Sequence, residues 1–347
     1  MIIIGCDLHA RSEQIARLDT ETGEIEEKRL DHESGEARRF YAELKEPALV
    51  GIESTGYARW FAEMLSEFGH ELVVGEAGKI RKMEPRKQKH DRRDAEHILD
   101  LLVRGDFPKI WLPRAEERDV RVLIEHRHQL VQLRTRAQNG LQAIALSYGL
   151  RRGKRLWSAA GREQLQKIPL REGVSRRRED LLQLVRQLST WIVELHQRIV
   201  EEASRRPEAQ RLMTHPGVGP QTALATVLVL GPVERFPNPR HLTSYLGLIP
   251  AEDSSAGRQR FGHLTKQGNR LMRFLLVEAA QTASRYDERL RRVYRRLAFR
   301  KGAAVAKVAV ARKLAIRLYI MLRDRIDYTE FCRRGSHAGM LGDVAVA

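Results

Sequence analysis

Short apolar runs, separated by stretches with helical spacing, constrain the fold of the first hundred residues. Residues 2–6, 49–52 and 72–74 have the length and composition of buried strands. Residues 14–18 and 25–30 flank Thr22-Gly23, which predicts a hairpin. Helical spacing follows in residues 36–44, 58–68 and 91–104. This order predicts an α/β domain over residues 1–112, a mixed sheet with helices packed on it, compatible with an RNase H-like fold.

Two seven-residue apolar stripes dominate the next region, residues 113–206. They are formed by Leu123, Leu130, Ala137 and Ile144, and by Leu181, Leu188 and Leu195 with Val185, Ile192 and Ile199 beside them. The pattern predicts long, coiled-coil-like helices that either fold back on each other or pair with another copy. We favour contacts in a homo-oligomer, a dimer or tetramer, because the stripes are long and the region has little other core material.

The third region, residues 207–330, is predicted to be mainly helical. It opens with His215-Pro216-Gly217-Val218-Gly219-Pro220, the hairpin of a helix-hairpin-helix pattern, and continues with apolar helices at residues 221–230, 270–284 and 303–323. Gly217 and Gly219 would let a DNA phosphate approach the backbone, although a plain turn between helices would have the same composition. The tail, residues 331–347, is expected to be disordered.

The balance of charge favours a polyanionic partner. Lys and Arg outnumber Asp and Glu by 62 to 45, which gives a net charge of +17. A basic protein can also bind membranes or simply be soluble, but no apolar stretch approaches the roughly 20 residues of a membrane helix. Two distant cysteines exclude a disulfide framework, and the N-terminus lacks the basic region of a signal peptide, so we expect a cytoplasmic protein.

Four carboxylates have the placement of a metal site. Asp7 and Glu53 each follow a predicted strand, while Asp91 and Asp94 share one face at the start of a helix. Converging carboxylates repel one another, and hard divalent cations such as Mg²⁺, with Mn²⁺ as an alternative, relieve that repulsion. Each residue alone also has an ordinary explanation, as a turn former, a helix cap or half of a surface ion pair.

Basic residues accompany these carboxylates and recur later in the chain. Two clusters are predicted to contact nucleic acid. One precedes the predicted helix of Asp91 and consists of Arg81, Lys82, Arg86, Lys87 and Lys89. The other lies between the two seven-residue apolar stripes and consists of Arg151, Arg152, Lys154 and Arg155. A third stretch combines Ser254 and Ser255 with Arg258 and Lys266. A hydroxyl group beside cations can contact or attack a phosphate. By composition alone, however, such a loop is more often an ordinary turn.

Three segments resemble the DEDD transposases of bacterial insertion sequences. They are Gly5-Cys6-Asp7, Glu53-Ser54-Thr55-Gly56-Tyr57 and Lys89-His90-Asp91-Arg92-Arg93-Asp94-Ala95, with His90 where the family more often has a small polar residue. The resemblance extends from Ile3 to about Arg323. It implies a RuvC-like N-terminal catalytic domain carrying the four carboxylates, and a separate C-terminal transposase domain.

The same resemblance implies a serine nucleophile and an RNA partner. Ser254 matches the serine motif of the family's transposase domain, while Ala256 stands where the family commonly has Gly, which leaves Ser255 as an alternative. The implied enzyme exchanges DNA strands at a site that joins two domains, guided by a structured bridge RNA. Two alternatives remain open: a RuvC-like junction-resolving nuclease without a covalent intermediate, and a non-enzymatic basic nucleic-acid-binding protein.

Overall fold

The computed structural model describes residues 1–84, 91–151, 153–252 and 260–334, with the backbone alone for Asp91, Lys154 and Phe261. The chain divides into two compact units, Met1–Leu112 and Pro113–Ala347. Hydrophobic clusters form separately within each unit.

A five-stranded mixed sheet forms the centre of the first unit. Its strands are β1 (Ile2–Leu8), β2 (Ser12–Asp19), β3 (Ile25–Asp31), β4 (Ala48–Glu53) and β5 (Glu71–Gly75). Their spatial order is β3-β2-β1-β4-β5, where β1, β2 and β3 are antiparallel and β1, β4 and β5 are parallel. The mixed α/β architecture predicted for this region is therefore confirmed, and it is compatible with an RNase H-like domain.

Helices cover both faces of this sheet. They are α1 (Glu36–Glu43), α2 (Arg59–Glu67), α3 (Ala77–Met83) and α4 (Asp91–Arg104). Alternate residues of a strand point to opposite faces, so Ile4 and Cys6 pack with Tyr41 of α1 and Phe61 of α2 on one side. Ile3 packs on the other side with the apolar face of α4.

Helix α4 approaches the sheet at Gly5. A Cβ atom at this position would lie 2.3 Å from the carbonyl oxygen of Ala95 and 2.4 Å from the amide nitrogen of Leu99. No side chain larger than hydrogen fits there, so the backbones of β1 and α4 are in direct contact. This contact fixes α4 over the face of the sheet that Ile3 and Asp7 share.

The second unit begins with a helical hairpin. It consists of α5 (Ala115–Ser147), a 3₁₀ turn (Gly153–Trp157), α6 (Ala159–Lys167) and α7 (Glu172–Ser204). Ala145 packs with Leu182, Leu130 with Leu188, and Ile124 shares a cluster with Ile199, so α5 and α7 run antiparallel. The buried parts of the two stripes thus cover each other within one chain, which is the arrangement that we had not favoured. Association with a second copy stays a proposal.

The described residues of the second unit also form seven further helices and a small sheet. The helices are α8 (Pro207–Met213), α9 (Pro220–Leu230), α10 (Pro239–Tyr245), α11 (Arg270–Tyr286), α12 (Glu288–Lys301), α13 (Ala303–Arg323) and α14 (Tyr328–Arg334), and the antiparallel strands are β6 (Pro250–Glu252) and β7 (Phe261–Leu264). The sequence patterns did not predict α10, α12, α14 or the small sheet. Helix α14 includes residues 331–334 of the predicted disordered tail, and the rest of that tail lies outside the described residues.

Within the described ranges, no helix is both long enough and apolar enough to cross a membrane.

Burial distinguishes two leucines of α7. Leu188 is 2% exposed against α5, whereas Leu184, one helical turn earlier, is 44% exposed. We expect Leu188→Ala to lower the free energy of unfolding by about 2–5 kcal/mol, because it removes buried methyl groups and leaves a cavity. Leu184→Ala should change it by less than about 0.5 kcal/mol. Urea unfolding followed by circular dichroism measures both.

Light scattering on the same two variants tests the proposed oligomer. If the exposed side of α7 pairs with another copy, Leu184→Ala weakens self-association although it leaves the fold stable. A wild-type protein that is monomeric at every concentration would contradict this proposal, and equal stability of the two variants would contradict the hairpin packing.

Candidate functional site

Asp7 and Glu53 lie side by side on neighbouring parallel strands. The register pairs Cys6 of β1 with Ile52 of β4, so the next residue of each strand is a carboxylate. Both side chains belong to the face that α4 covers, because alternate residues of each strand share a face and Gly5 and Gly51 contact α4. Asp7 lies within β1 and Glu53 is the last residue of β4, whereas the sequence placed both just beyond the strands.

The two carboxylates have basic partners. Asp7 Oδ2 lies 3.1 Å from His9 Nε2, and a Glu53 carboxylate oxygen lies 3.5 Å from a guanidinium nitrogen of Arg81. The loop after Glu53 closes over this end of the sheet, where the Tyr57 hydroxyl donates a hydrogen bond of 3.0 Å to the Leu8 carbonyl. The carboxylates therefore lie in a polar, basic environment. A DNA phosphate would compete with them for His9 and Arg81, and a metal cation would compete with these basic groups for the carboxylates.

Asp94 reaches the same side of the sheet on helix α4. It directly precedes Ala95, the residue that contacts Gly5, and its side chain is partly buried. Asp91 is the first residue of α4, but its side chain lies outside the described residues. Among the residues that are described, no three His, Cys, Asp or Glu side chains form a group that could hold a metal ion. The four-carboxylate metal site therefore stays a prediction.

The predicted nucleic-acid contacts are described in part. Arg81 and Lys82 are exposed in the last turn of α3, and Arg151 and Arg155 are exposed at the tip of the helical hairpin. Several other predicted contacts lie outside the described residues, namely Arg86, Lys87, Lys89, Arg152, Arg258 and the side chain of Lys154.

The two glycines of the predicted helix-hairpin-helix differ in their surroundings. At Gly217, whose φ angle is 86°, a Cβ atom would lie 2.5 Å from the Ala283 amide nitrogen, so packing against α11 accounts for this glycine. Gly219 is exposed at the N-cap of α9, with open space around it. Gly219 thus leaves the helix N-terminus accessible to an anion, while Gly217 has a structural explanation.

A buried polar network lies beside residues 215–220, and no sequence pattern predicted it. The Asp287 carboxylate accepts hydrogen bonds of 2.6 Å from Arg317, from the Tyr328 hydroxyl and from the Leu290 amide. Burial alone would raise the pKa of Asp287, but these hydrogen bonds lower it to about 2. Burial lowers the pKa of the adjacent His215 to about 4, so this histidine is neutral near pH 7. Through Arg317, the network connects His215 to α12, α13 and α14. These contacts give His215 a structural role.

Strands β6 and β7 border the serine motif. Glu252 pairs with Phe261, and residues 253–260 connect them. The base of this pair is held by backbone contact, since a Cβ atom at Gly268, where φ is 72°, would lie 2.0 Å from the Tyr245 carbonyl oxygen. The Arg273 guanidinium donates to the carbonyls of Gln267 and Gly268 on the same side.

Ser254 and Ser255 themselves lie outside the described residues. Lys266, the remaining predicted contact of this motif, is exposed and has a left-handed backbone with φ at 54°. It directly precedes the segment that Arg273 holds.

Two family models match the chain over these two regions. One, described as a transposase with the DEDD motif of the IS110 type, matches residues 4–149, and the other, described as the transposase IS116/IS110/IS902 family, matches residues 209–295. The chain belongs to the IS110 family of DEDD transposases. The sequence-based recognition of this family is confirmed.

Curated relatives agree with this assignment. A protein of Pseudomonas aeruginosa named "Probable family 20 transposase" is 29% identical over 335 residues, which cover 94% of this chain and 98% of the relative. The transposase for the insertion sequence element IS1328 of Yersinia enterocolitica is 28% identical and covers 78% of this chain and 82% of its own length. The transposase for IS1111A of Coxiella burnetii is 28% identical, with 70% and 69% covered.

The transposase is thus an enzyme that cleaves and recombines DNA, and DNA is its partner. Its DEDD domain implies dependence on a divalent metal cation in general. The excess of Lys and Arg agrees with a polyanionic substrate.

Gly268, which follows the small sheet, and Gly262, which lies in β7, provide a test of how the transposase holds its serine motif. Gly268→Ala should lower the free energy of unfolding by about 1–3 kcal/mol, because its methyl group would collide with backbone. Gly262→Ala should be tolerated, because its Cβ atom would meet nothing closer than 3.7 Å. Thermal unfolding measures both, and equal midpoints would disprove the backbone contact at Gly268.

Proposed function

We propose that this transposase cuts and rejoins DNA through a covalent bond between Ser254 and a DNA phosphate, with Asp7, Glu53, Asp91 and Asp94 holding Mg²⁺ or Mn²⁺. The observation that carries the proposal is the placement of Asp7 and Glu53 at matching positions of adjacent parallel strands, facing the helix of Asp94. The assignment of Ser254 is supported by strands β6 and β7, which border the serine motif, and by the hydrogen bond from Arg273 to the Gly268 carbonyl beside them.

The serine step exchanges one phosphodiester for another. The Ser254 hydroxyl oxygen attacks phosphorus and gives up its proton, the bond from phosphorus to one DNA oxygen breaks, and that oxygen takes up one proton and leaves as a hydroxyl. In the second step a hydroxyl of another DNA strand attacks the serine phosphodiester and the serine is released. No oxidant or external energy source is needed. Lys266 and Arg258 would stabilise the charge that develops on the phosphate.

The carboxylates would contribute by binding and orientation. A divalent cation supplies positive charge to the attacking and leaving oxygens when bound. Asp7 and Glu53 would release His9 and Arg81 in exchange for that cation, since each carboxylate now lies beside a basic group. Arg81 would then be available to a DNA phosphate.

We further propose that a structured bridge RNA guides the reaction and that a homo-oligomer carries it out. The exposed cations Arg151 and Arg155, at the hairpin tip, support an RNA contact. The exposed apolar residues Leu184 and Trp191, seven residues apart on α7, support contact with another copy. Base pairing by the RNA would then select the sequence, while the protein holds the nucleic-acid backbones.

The serine mechanism predicts a protein–DNA adduct. Ser254→Ala should eliminate both the adduct and recombination, because it removes the attacking oxygen, while DNA binding persists. The measurement is denaturing electrophoresis of labelled DNA after incubation with the protein, Mg²⁺ and the candidate RNA. A slow-migrating band that protease removes identifies the adduct.

Ser255→Ala is the matched control, and it should retain most of the adduct. Loss of the adduct in Ser255→Ala alone would move the nucleophile to Ser255. If Ser254→Ala cuts DNA at the wild-type rate and neither protein forms an adduct, the enzyme uses water as a junction-resolving nuclease does.

The acidic site predicts loss of cleavage without loss of binding. Asp7→Asn and Asp94→Asn should each abolish strand cleavage, since an amide is a poorer metal ligand than a carboxylate. Asp100→Asn is the control on the same helix, because Asp100 pairs with Arg104 2.8 Å away and has no assigned role. Cleavage assays in Mg²⁺ and in excess EDTA measure the effect. Full activity of both variants, or of the wild type in EDTA, would contradict the metal site.

A further inference from the structure

Helix α12 carries a charge that its own surroundings do not neutralise. Seven of its 14 residues are Arg or Lys. Within the described part of the chain, the one ion pair of these cations joins Arg292 to Glu288 at 3.1 Å. Like charges one helical turn apart repel each other and destabilise a helix. A bound polyanion would remove that repulsion.

Four cations meet in one cavity beside this helix. The cavity has a volume of about 370 Å³ and lies where α11, α12 and the first turns of α13 come together. Arg285, Arg291, Arg295 and Lys307 line it, and none of the described residues that line it is acidic. Arg291 also donates a hydrogen bond to the Arg285 carbonyl, which fixes its guanidinium at the cavity. The cavity therefore offers several donors and a concentrated positive field to a phosphate.

Two exposed aromatic rings accompany these cations. Phe299 is 93% exposed and follows Arg295 by one helical turn, so Arg291, Arg295 and Phe299 form one row along α12. Tyr286 is 73% exposed and directly follows Arg285. Exposed rings beside a row of cations are the arrangement with which proteins hold unpaired bases, because the ring stacks on a base while the cations contact the phosphates.

We propose that α12 and this cavity bind a single-stranded segment of nucleic acid, with phosphates at Arg291, Arg295 and Lys307 and a base stacked on Phe299. A duplex keeps its bases stacked on one another and would leave Phe299 unused. This inference deepens the proposed function and rests on it, since strand exchange requires unpaired strands to be held. Phe299 and Lys307 lie beyond the ranges that the two family models match.

Fluorescence anisotropy with the full chain tests the proposal. The probes are a labelled 20-nucleotide DNA strand, the RNA of the same sequence, and the DNA as a duplex, in EDTA and on a Ser254→Ala background. Arg295→Gln/Lys307→Gln should weaken single-strand binding and reduce the slope of log K against log salt by about 1.4, roughly 0.7 per lost phosphate contact. Phe299→Ala should weaken it roughly 5- to 150-fold with an unchanged slope, and should leave duplex binding unaltered.

Arg39→Gln/Lys45→Gln is the matched control, because it removes the same charge from exposed positions of the first unit. The proposal is overturned if the cavity variant binds as tightly as this control, or if Phe299→Ala leaves single-strand affinity unchanged. A preference for DNA or for RNA supports the proposal in either case and identifies the bound strand. Since neither metal nor serine takes part in this measurement, failure of the covalent mechanism would leave its result unaffected.

Discussion

Direct contact of backbones at glycine is the constraint on which both units depend. At Gly5 the first unit brings α4 onto its central strand, and at Gly217 and Gly268 the second unit brings loops onto α11 and onto Tyr245. In each case a methyl group would lie within 2.5 Å of a backbone atom, so the contact exists only because there is no side chain. The carboxylate face and the base of the serine motif are both built on such contacts.

Sequence periodicity predicted the regular elements well wherever apolar residues face a core. The bounds of α4 and α13 were predicted as the structure has them, because their apolar faces are continuous. In addition, Gly105 directly follows the last residue of α4 and Gly302 directly precedes the first residue of α13. The end of β1 was not predicted, since a polar residue stops an apolar run while backbone pairing continues, as Asp7 does opposite Gln14. The sequence could therefore locate the carboxylates along the chain but not their position within the strands.

Other features were missed for physical reasons that differ. Helix α12 has an apolar stripe at Leu290, Val293, Tyr294 and Leu297, but its seven cations obscured that pattern. Strand β6 has three residues, too few to show alternation. The seven-residue stripes predicted that leucines such as Leu188 are buried without indicating what buries them. The Asp287 network joins residues that are distant in sequence, so no local sequence pattern predicts it.

The length of the helical hairpin formed by α5 and α7 determines how far its tip lies from the core of the second unit. Its base belongs to the core around Ile124 and Ile199, and its tip carries Arg151. At 1.5 Å per residue, the part of α5 from Ile124 to Ser147 places the tip about 35 Å from that core. Inserting one heptad into each helix would move the tip outward by about 10 Å and keep every buried position on the same stripe. Relatives with this architecture can therefore change their reach to a partner without redesigning the core.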